Sequence, residues 1–230
     1  MATRAPRRSA QQRRRLILQS AQAVFAANNY ARVGTADLAK AAGISEPALY
    51  RYFPSKKDLF IATIKDSGAR LLEIWERLAM EVVSPLDVIW AIGLGYYDHL
   101  RSRSPVIKLL FQAISEADDP DIRRALRENF AAFIRFLKEN FEEAQRRGLI
   151  RPDVDTNVAA WQFIAMGLGL DLIHLLSFTQ DIDRSAVEEW QRLYLSSILD
   201  EPGGAEPEGC FTGAGFGRSI VEDWRGLHLE

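Results

Sequence analysis

The chain has 230 residues, with 29 Lys and Arg against 31 Asp and Glu, so its formal charge is only −2. At 47% hydrophobic and 26% charged it is neither disordered nor fibrous in composition, and its length suits one large domain or two small ones. The single cysteine, Cys210, rules out an intramolecular disulfide framework and a cysteine-based zinc cluster.

The near-neutral total hides a split. Residues 1 to 57 carry eleven basic and two acidic side chains, a charge of +9, and the other 173 residues come to −11. Such asymmetry points to a polyanion at the N-terminal end, with nucleic acid the first to consider. The basic N-terminus is followed by an amphipathic stretch, not by an unbroken apolar run, and no window has ~18 consecutive apolar residues. The expectation is a soluble cytoplasmic protein with no membrane association.

The hydrophobic period is helical almost throughout, and an all-α fold of about nine helices is expected. Ser9 with Gln12 fits a capping box, after which Ile17, Ala21, Val24 and Phe25 form one stripe, closed by Asn28-Asn29. Two short helices follow: Thr35 is expected to cap 36–42, Gly43 to end it, and Ser45 to cap 46–52. Leu38, Ala39, Ile44, Leu49 and Phe53 supply their common core. Two helices of this length joined by an AGIS turn predict a helix-turn-helix.

Pro54 stops the second of them, and Ser55 with Asp58 starts a long helix from Lys56 to about Val82. Ser84-Pro85, Ser104-Pro105 and Asp119-Pro120 each place a capping side chain before a proline in the first turn, opening helices of roughly 85–101, 105–116 and 120–147. Gly148 ends the last of these. Two more are expected at about 156–178 and 184–199. The first is apolar nearly all round, which suggests burial on most sides, including a subunit interface. Residues 201–230 hold seven of the 15 glycines and read as a mobile tail. The expected domains are 1–57, a helix-turn-helix with a basic arm; 58–200, a helical body; and the 201–230 tail.

The stretch GTADLAKAAGISEPALYRYFPSKKDLFIATI resembles the N-terminal DNA-binding domain of the TetR family of transcriptional regulators. It combines the A-G-I-S turn, the L-Y-x-Y-F third helix and the P-S-K-x-x-L start of the fourth at the family spacing. The later helices match the family's ligand-binding and dimerisation domain only in number and order. The resemblance implies that Glu46, Pro47, Ala48 and Arg51 face base edges, while Thr35, Tyr50, Tyr52 and Lys56 hold phosphates or sugars. Arg51 is the strongest candidate for base reading, because a guanidinium donates twice to one guanine. Glu46 is repelled by phosphate unless it accepts from a cytosine amino group. Arg4, Arg7 and Arg8, on the arm, are expected to contact the DNA backbone or minor groove.

One helix-turn-helix reads too few base pairs to find its site, so a homodimer on a palindromic operator is expected. Ala165, Gly169, Ile173, Val187, Trp190, Tyr194 and Ile198, on the last two helices, are the interface candidates. By resemblance, Trp75, Trp90, Tyr97, Phe111, Phe133, Phe136, Trp161, Met166 and His174 lie on helices bordering an effector pocket, and their aromatic character suggests an apolar or aromatic small molecule. No cofactor or metal is expected: His99 and His174 with Asp98 and Asp171 make no ligand motif. Hydrolase, P-loop, zincin and dinucleotide signatures are absent, so an enzyme is not expected. The alternative is a DNA-bound protein of the same fold that acts by protein docking in chromosome organisation or division, through Tyr96, Tyr97 and the tail around Trp224.

Overall fold

A computed structural model of the chain describes residues 10–101, 105–178 and 182–200. Among these residues the fold is all-α. The helices are α1 (Ala10–Ala27), α2 (Thr35–Ala41), α3 (Glu46–Tyr50), α4 (Lys56–Glu81), α5 (Pro85–Arg101), α6 (Pro105–Ser115), α7 (Pro120–Arg146), α8 (Thr156–Leu175) and α9 (Arg184–Ser196), with a 3-10 turn at Tyr30–Arg32. No strand occurs among them; a single antiparallel bridge pairs Ile150 with Leu199.

Several expected boundaries hold for the expected reason. Ser55 Oγ accepts from the Asp58 amide and donates to the Asp58 carboxylate, satisfying a free amide in the first turn of α4. Asp119 Oδ1 accepts from the Asp121 amide at 2.8 Å, capping α7 ahead of Pro120. Gly148, at φ 71°, adopts the left-handed conformation that ends α7, and the Leu149 amide returns to the Ala144 carbonyl.

Other boundaries differ. Thr35 does not cap α2: the N-cap is Gly34, and the Thr35 hydroxyl goes elsewhere. Ser45 is the N-cap of α3 but makes no side-chain capping bond. Helix α3 stops at Tyr50 instead of Tyr52, because Pro54 pushes Phe53 out of helical geometry and the chain leaves through a turn. The Ser9 cap and the 201–230 tail lie outside the described residues, as do Arg4, Arg7 and Arg8.

The chain divides into two compact units. The first holds the described part of Met1–Gly68 together with Pro105–Arg127. Its core joins Ile17, Phe25, Leu38, Leu49, Phe60, Leu109, Ala113 and Ile122, all buried. Phe25, Tyr30 and Phe60 stack within it, with Phe25 and Phe60 centroids 4.8 Å apart. The boundary expected at 57 therefore omits α6 and the start of α7, which are far along the chain but share this core. Counted over both stretches, the first unit carries sixteen basic against eight acidic side chains, so the charge split survives the new boundary at +8.

The second unit holds Ala69–Ser104 and Glu128 onward. Helix α5 is buried on nearly every side, and Leu137, Phe141 and Ala144 of α7 are fully enclosed. Trp75 packs against Phe133 and Phe136 with ring centroids 5.1 and 5.9 Å away. Helix α8 is long and apolar enough to cross a membrane by composition alone. One of its faces is instead spent on the core of the unit, through Ala159, Ala160, Phe163, Ile164 and Leu170.

Candidate nucleic-acid interface

The helix-turn-helix is built by backbone geometry first. Gly43, at φ 63°, makes the left-handed turn that a side chain would strain. The Ile44 amide then returns to the Ala39 carbonyl at 3.0 Å, and Leu49 and Phe53 bury one side of α3 against Leu38 and Ala39. What remains outside is the other side of α3: Pro47, Tyr50 and Arg51 are exposed, and Ala48 and Glu46 half-buried. The Arg51 guanidinium has no hydrogen bond or ion pair among the described residues.

The surrounding polar side chains are less free than the sequence suggested. Thr35 donates its hydroxyl hydrogen to the Glu46 carboxylate, and Tyr50 points its own at the Thr35 oxygen over 3.4 Å. Lys56 donates to the carbonyls of Tyr30 and Val33 at 3.0 and 3.2 Å and sits over the Tyr30 ring. Its ammonium thus binds the chain's own backbone and keeps at most part of its donor capacity for a phosphate. Tyr52 is half-buried against the core cluster.

Two contacts had no sequence signal. Lys57, in the first turn of α4, bonds Asp119 at 3.1 Å and Asp121 at 2.9 Å. These partners raise the lysine's pKa; that of Asp119 is lowered by the Asp121 amide and Lys57, and that of Asp121 by Lys57. The second contact comes from Gln112 of α6, which donates to the carbonyls of Phe25 and Asn28 at 2.6 and 2.9 Å and so closes the C-terminal end of α1. Arg14, on α1, stacks over Phe53 at 4.9 Å.

Residues 17–63, which contain the helix-turn-helix and the start of α4, match the family of bacterial regulatory proteins called tetR, and residues 99–200 match the C-terminal domain of BetI-type transcriptional repressors. The nucleoid occlusion factor SlmA of Marinobacter nauticus is 47% identical over 145 residues, which span 60% of this chain and 69% of that protein. The chain belongs to the TetR family. Other relatives cover more of it at lower identity. The regulator UidR of Escherichia coli K12 is 24% identical over 75% of this chain and 90% of its own length. A TetR transcriptional regulator of known structure from Chloroflexus aurantiacus shares the fold with a TM-score of 0.69 at 20% identity, over 83% of this chain and 98% of its own. This TetR-family chain is accordingly a helix-turn-helix DNA-binding transcription regulator.

The second unit of the regulator sorts the remaining candidates. Ala165, Gly169, Trp190 and Tyr194 line an open groove of about 630 Å³ between α8 and α9, joined by Gln162, Met166 and Leu193. Trp161 of α8 is 51% exposed, and Val158 and Leu172 of the same helix are 50% and 49% exposed. Trp161 and Met166 therefore belong to this outer apolar surface and not to an interior wall. Ile173 is half-buried. Val187 and Ile198 face inward, at 1% and 6% exposure, because the buried stripe of α9 runs Val187, Gln191, Leu195. Leu193, which sequence reasoning passed over, is 61% exposed and central to the outer surface.

Of the expected pocket residues, Trp75, Trp90, Tyr97, Phe133, Phe136 and His174 lie in the second unit, and all but half-buried Phe136 and His174 are buried. Phe111 lies on α6 in the first unit. Tyr97 donates to the Ile182 carbonyl at 3.2 Å. Tyr96 donates to Asp171 at 2.6 Å, so neither tyrosine offers its hydroxyl as a docking surface. Asp171 is almost wholly enclosed, and burial pushes its pKa up to about 7 despite the Tyr96 hydrogen bond.

Proposed function

We propose that the chain represses transcription as a homodimer on a palindromic operator and is released by a small apolar or aromatic effector. The observation that carries this reading is the pairing of two surfaces: a bare α3 face ending in Arg51, and an uncovered apolar groove on α8 and α9. A second copy laid on that groove would form a four-helix bundle, and a twofold dimer of helix-turn-helix modules reads half-sites roughly 34–36 Å apart on DNA. Pro47 and Ala48 meet thymine methyls, Arg51 reads a guanine, and Tyr52, Tyr50 and Thr35 meet the backbone, as Lys56 does with its remaining donor. Arg4, Arg7 and Arg8 of the arm add sequence-independent contacts. The aromatic cluster of Trp75, Phe133 and Phe136, with buried Trp90, supports an effector of aromatic character. Such a protein works in the cytoplasm, where the operator is.

Operator selection from random duplexes, with sedimentation of the bound complex and titration of aromatic compounds against it, tests this reading. A two-fold symmetric site occupied by two copies is expected. Recovery of an asymmetric site, or of no site, defeats it.

A second reading draws on the likeness to a nucleoid occlusion factor. Here the chain sits on DNA mainly to dock another protein. It is favoured if DNA binding is indifferent to every small molecule tried while a division or chromosome protein co-sediments with the bound complex.

A further inference from the structure

We propose that Glu46 is an internal stand-in for a DNA phosphate, and that its displacement by DNA couples backbone docking to the reading of a cytosine. The proposal rests on the DNA-contact roles given above to Thr35 and Tyr50. It starts from hydrogen arithmetic. A hydroxyl has a single hydrogen to give. That of Thr35 is given to the Glu46 carboxylate, and that of Tyr50 is aimed at the Thr35 oxygen. The Thr35 hydroxyl cannot donate to a phosphate while its bond to Glu46 is closed, and Tyr50 is turned toward Thr35 by a long contact.

The contact is not explained by helix capping. The N-cap of α2 is Gly34, and Ser45 caps α3 without a side-chain bond, so Thr35 and Glu46 are both spared that duty. They instead bond to each other across the turn, eleven residues apart in sequence. A carboxylate oxygen is the nearest side-chain equivalent of a phosphate oxygen: charged, an acceptor only, and strengthened by its charge. The free protein thus holds Glu46 half-buried at the Thr35 hydroxyl, turned to its own chain.

Docking on DNA exchanges one charged acceptor for another. Thr35 passes its hydrogen from Glu46 to the phosphate, and Tyr50, whose bond is long, follows at little cost. The released carboxylate then lies beside a polyanion and is favourable there only with a donor of its own. In the major groove that donor is the N4 amino group of cytosine. With cytosine opposite Glu46, both exchanges are matched. On other sequences the carboxylate either keeps the Thr35 hydroxyl from the backbone or is left unpaired, and binding weakens. Glu46 therefore sets specificity by gating the Thr35 phosphate contact as well as by meeting a base.

The test is a double-mutant cycle on the full-length chain: wild type, Glu46→Ala, Thr35→Val and the double variant, each checked for native helix content by circular dichroism. Binding to a random-sequence duplex and to the selected operator is read by fluorescence anisotropy. Glu46→Ala is expected to bind random duplex roughly tenfold tighter. In the Thr35→Val background this gain shrinks by roughly threefold or more, because the hydroxyl it would free is gone. Glu46→Ala also loses the preference for cytosine at one half-site position. If the two substitutions multiply independently, the gain is plain charge removal and the proposal is overturned; so it is if the base preference is unchanged. Where Thr35→Val fails to fold, Thr35→Ala takes its place in the cycle. Wild-type protein that retains no duplex at all removes the DNA-contact reading as well, whereas tight binding with independent substitutions removes the exchange alone.

Discussion

The Tyr96 hydroxyl donates to the Asp171 carboxylate over 2.6 Å, tying α5 to α8 inside the second unit. Burial of Asp171 raises its pKa from 3.8 to about 7, so the folded state holds a proton that the unfolded chain releases at much lower pH. The contribution to stability is complete below pH ~4 and is lost as pH rises through about 7, at up to roughly 1.4 kcal/mol per pH unit. Urea unfolding of Asp171→Asn, which keeps an acceptor for Tyr96 but carries no charge, checks this. The variant should exceed wild type by on the order of 2 kcal/mol at pH 8, with the gap narrowing at pH 5 and closing near pH 4. A gap independent of pH would show that Asp171 is ionised at both.

Gln112→Ala removes the amide that satisfies the Phe25 and Asn28 carbonyls at the end of α1. A loss of about 1–2 kcal/mol is expected in chemical denaturation, together with faster amide exchange in the last turn of α1. An unchanged midpoint would mean that water serves those carbonyls equally well.

Such cross-chain contacts mark where the sequence stops being legible. Local signals were sufficient for the Ser55 cap, the Asp119 cap, and the left-handed turns at Gly43 and Gly148, because each depends on residues within a few positions. Gln112 and Lys57 carry no such signal. A polar residue on a helix does not announce which carbonyl or carboxylate the fold will bring to it. Amphipathic periodicity has a similar limit: it showed that α9 has an apolar stripe, but the helix is apolar on two sides. Val187 faces the interior while Leu193 faces outward, and choosing between those sides needs the neighbouring helices. Helix α8, apolar nearly all round, left both of its faces open for the same reason.

Arg51→Ala and Lys56→Ala should part company. Arg51 is exposed with no partner among the described residues, so its loss is expected to relax specificity at one base pair by ~1–3 kcal/mol and leave the unfolding midpoint in place. Lys56 holds the Tyr30 and Val33 carbonyls, so its loss lowers the midpoint as well as weakening all DNA sequences alike. Binding isotherms on single-base operator variants, with thermal melts of the same proteins, separate the two. Equal midpoints for both variants would count against the backbone role of Lys56.

Leu193→Glu and Val187→Glu test the outer groove against the core. Leu193 is 61% exposed, and a charge there should yield a folded monomer by sedimentation, with operator binding reduced by orders of magnitude. Val187 is 1% exposed, and the same substitution buries an unpaired carboxylate and should unfold the second unit. A Leu193→Glu protein that remains dimeric would move the subunit contact away from α9.

The core that fuses Leu109 and Ala113 of α6 with Ile17 and Phe25 of α1 bears on how this regulator can be rebuilt. A DNA-reading module cut at the end of the helix-turn-helix would expose the apolar surface that α6 covers and leave the α1 carbonyls without Gln112. Grafting its sequence preference onto another regulator therefore requires transplanting two separate stretches of chain, or recreating the second on the recipient. Chimeras made by a single crossover near residue 57 would be expected to aggregate before they misread DNA.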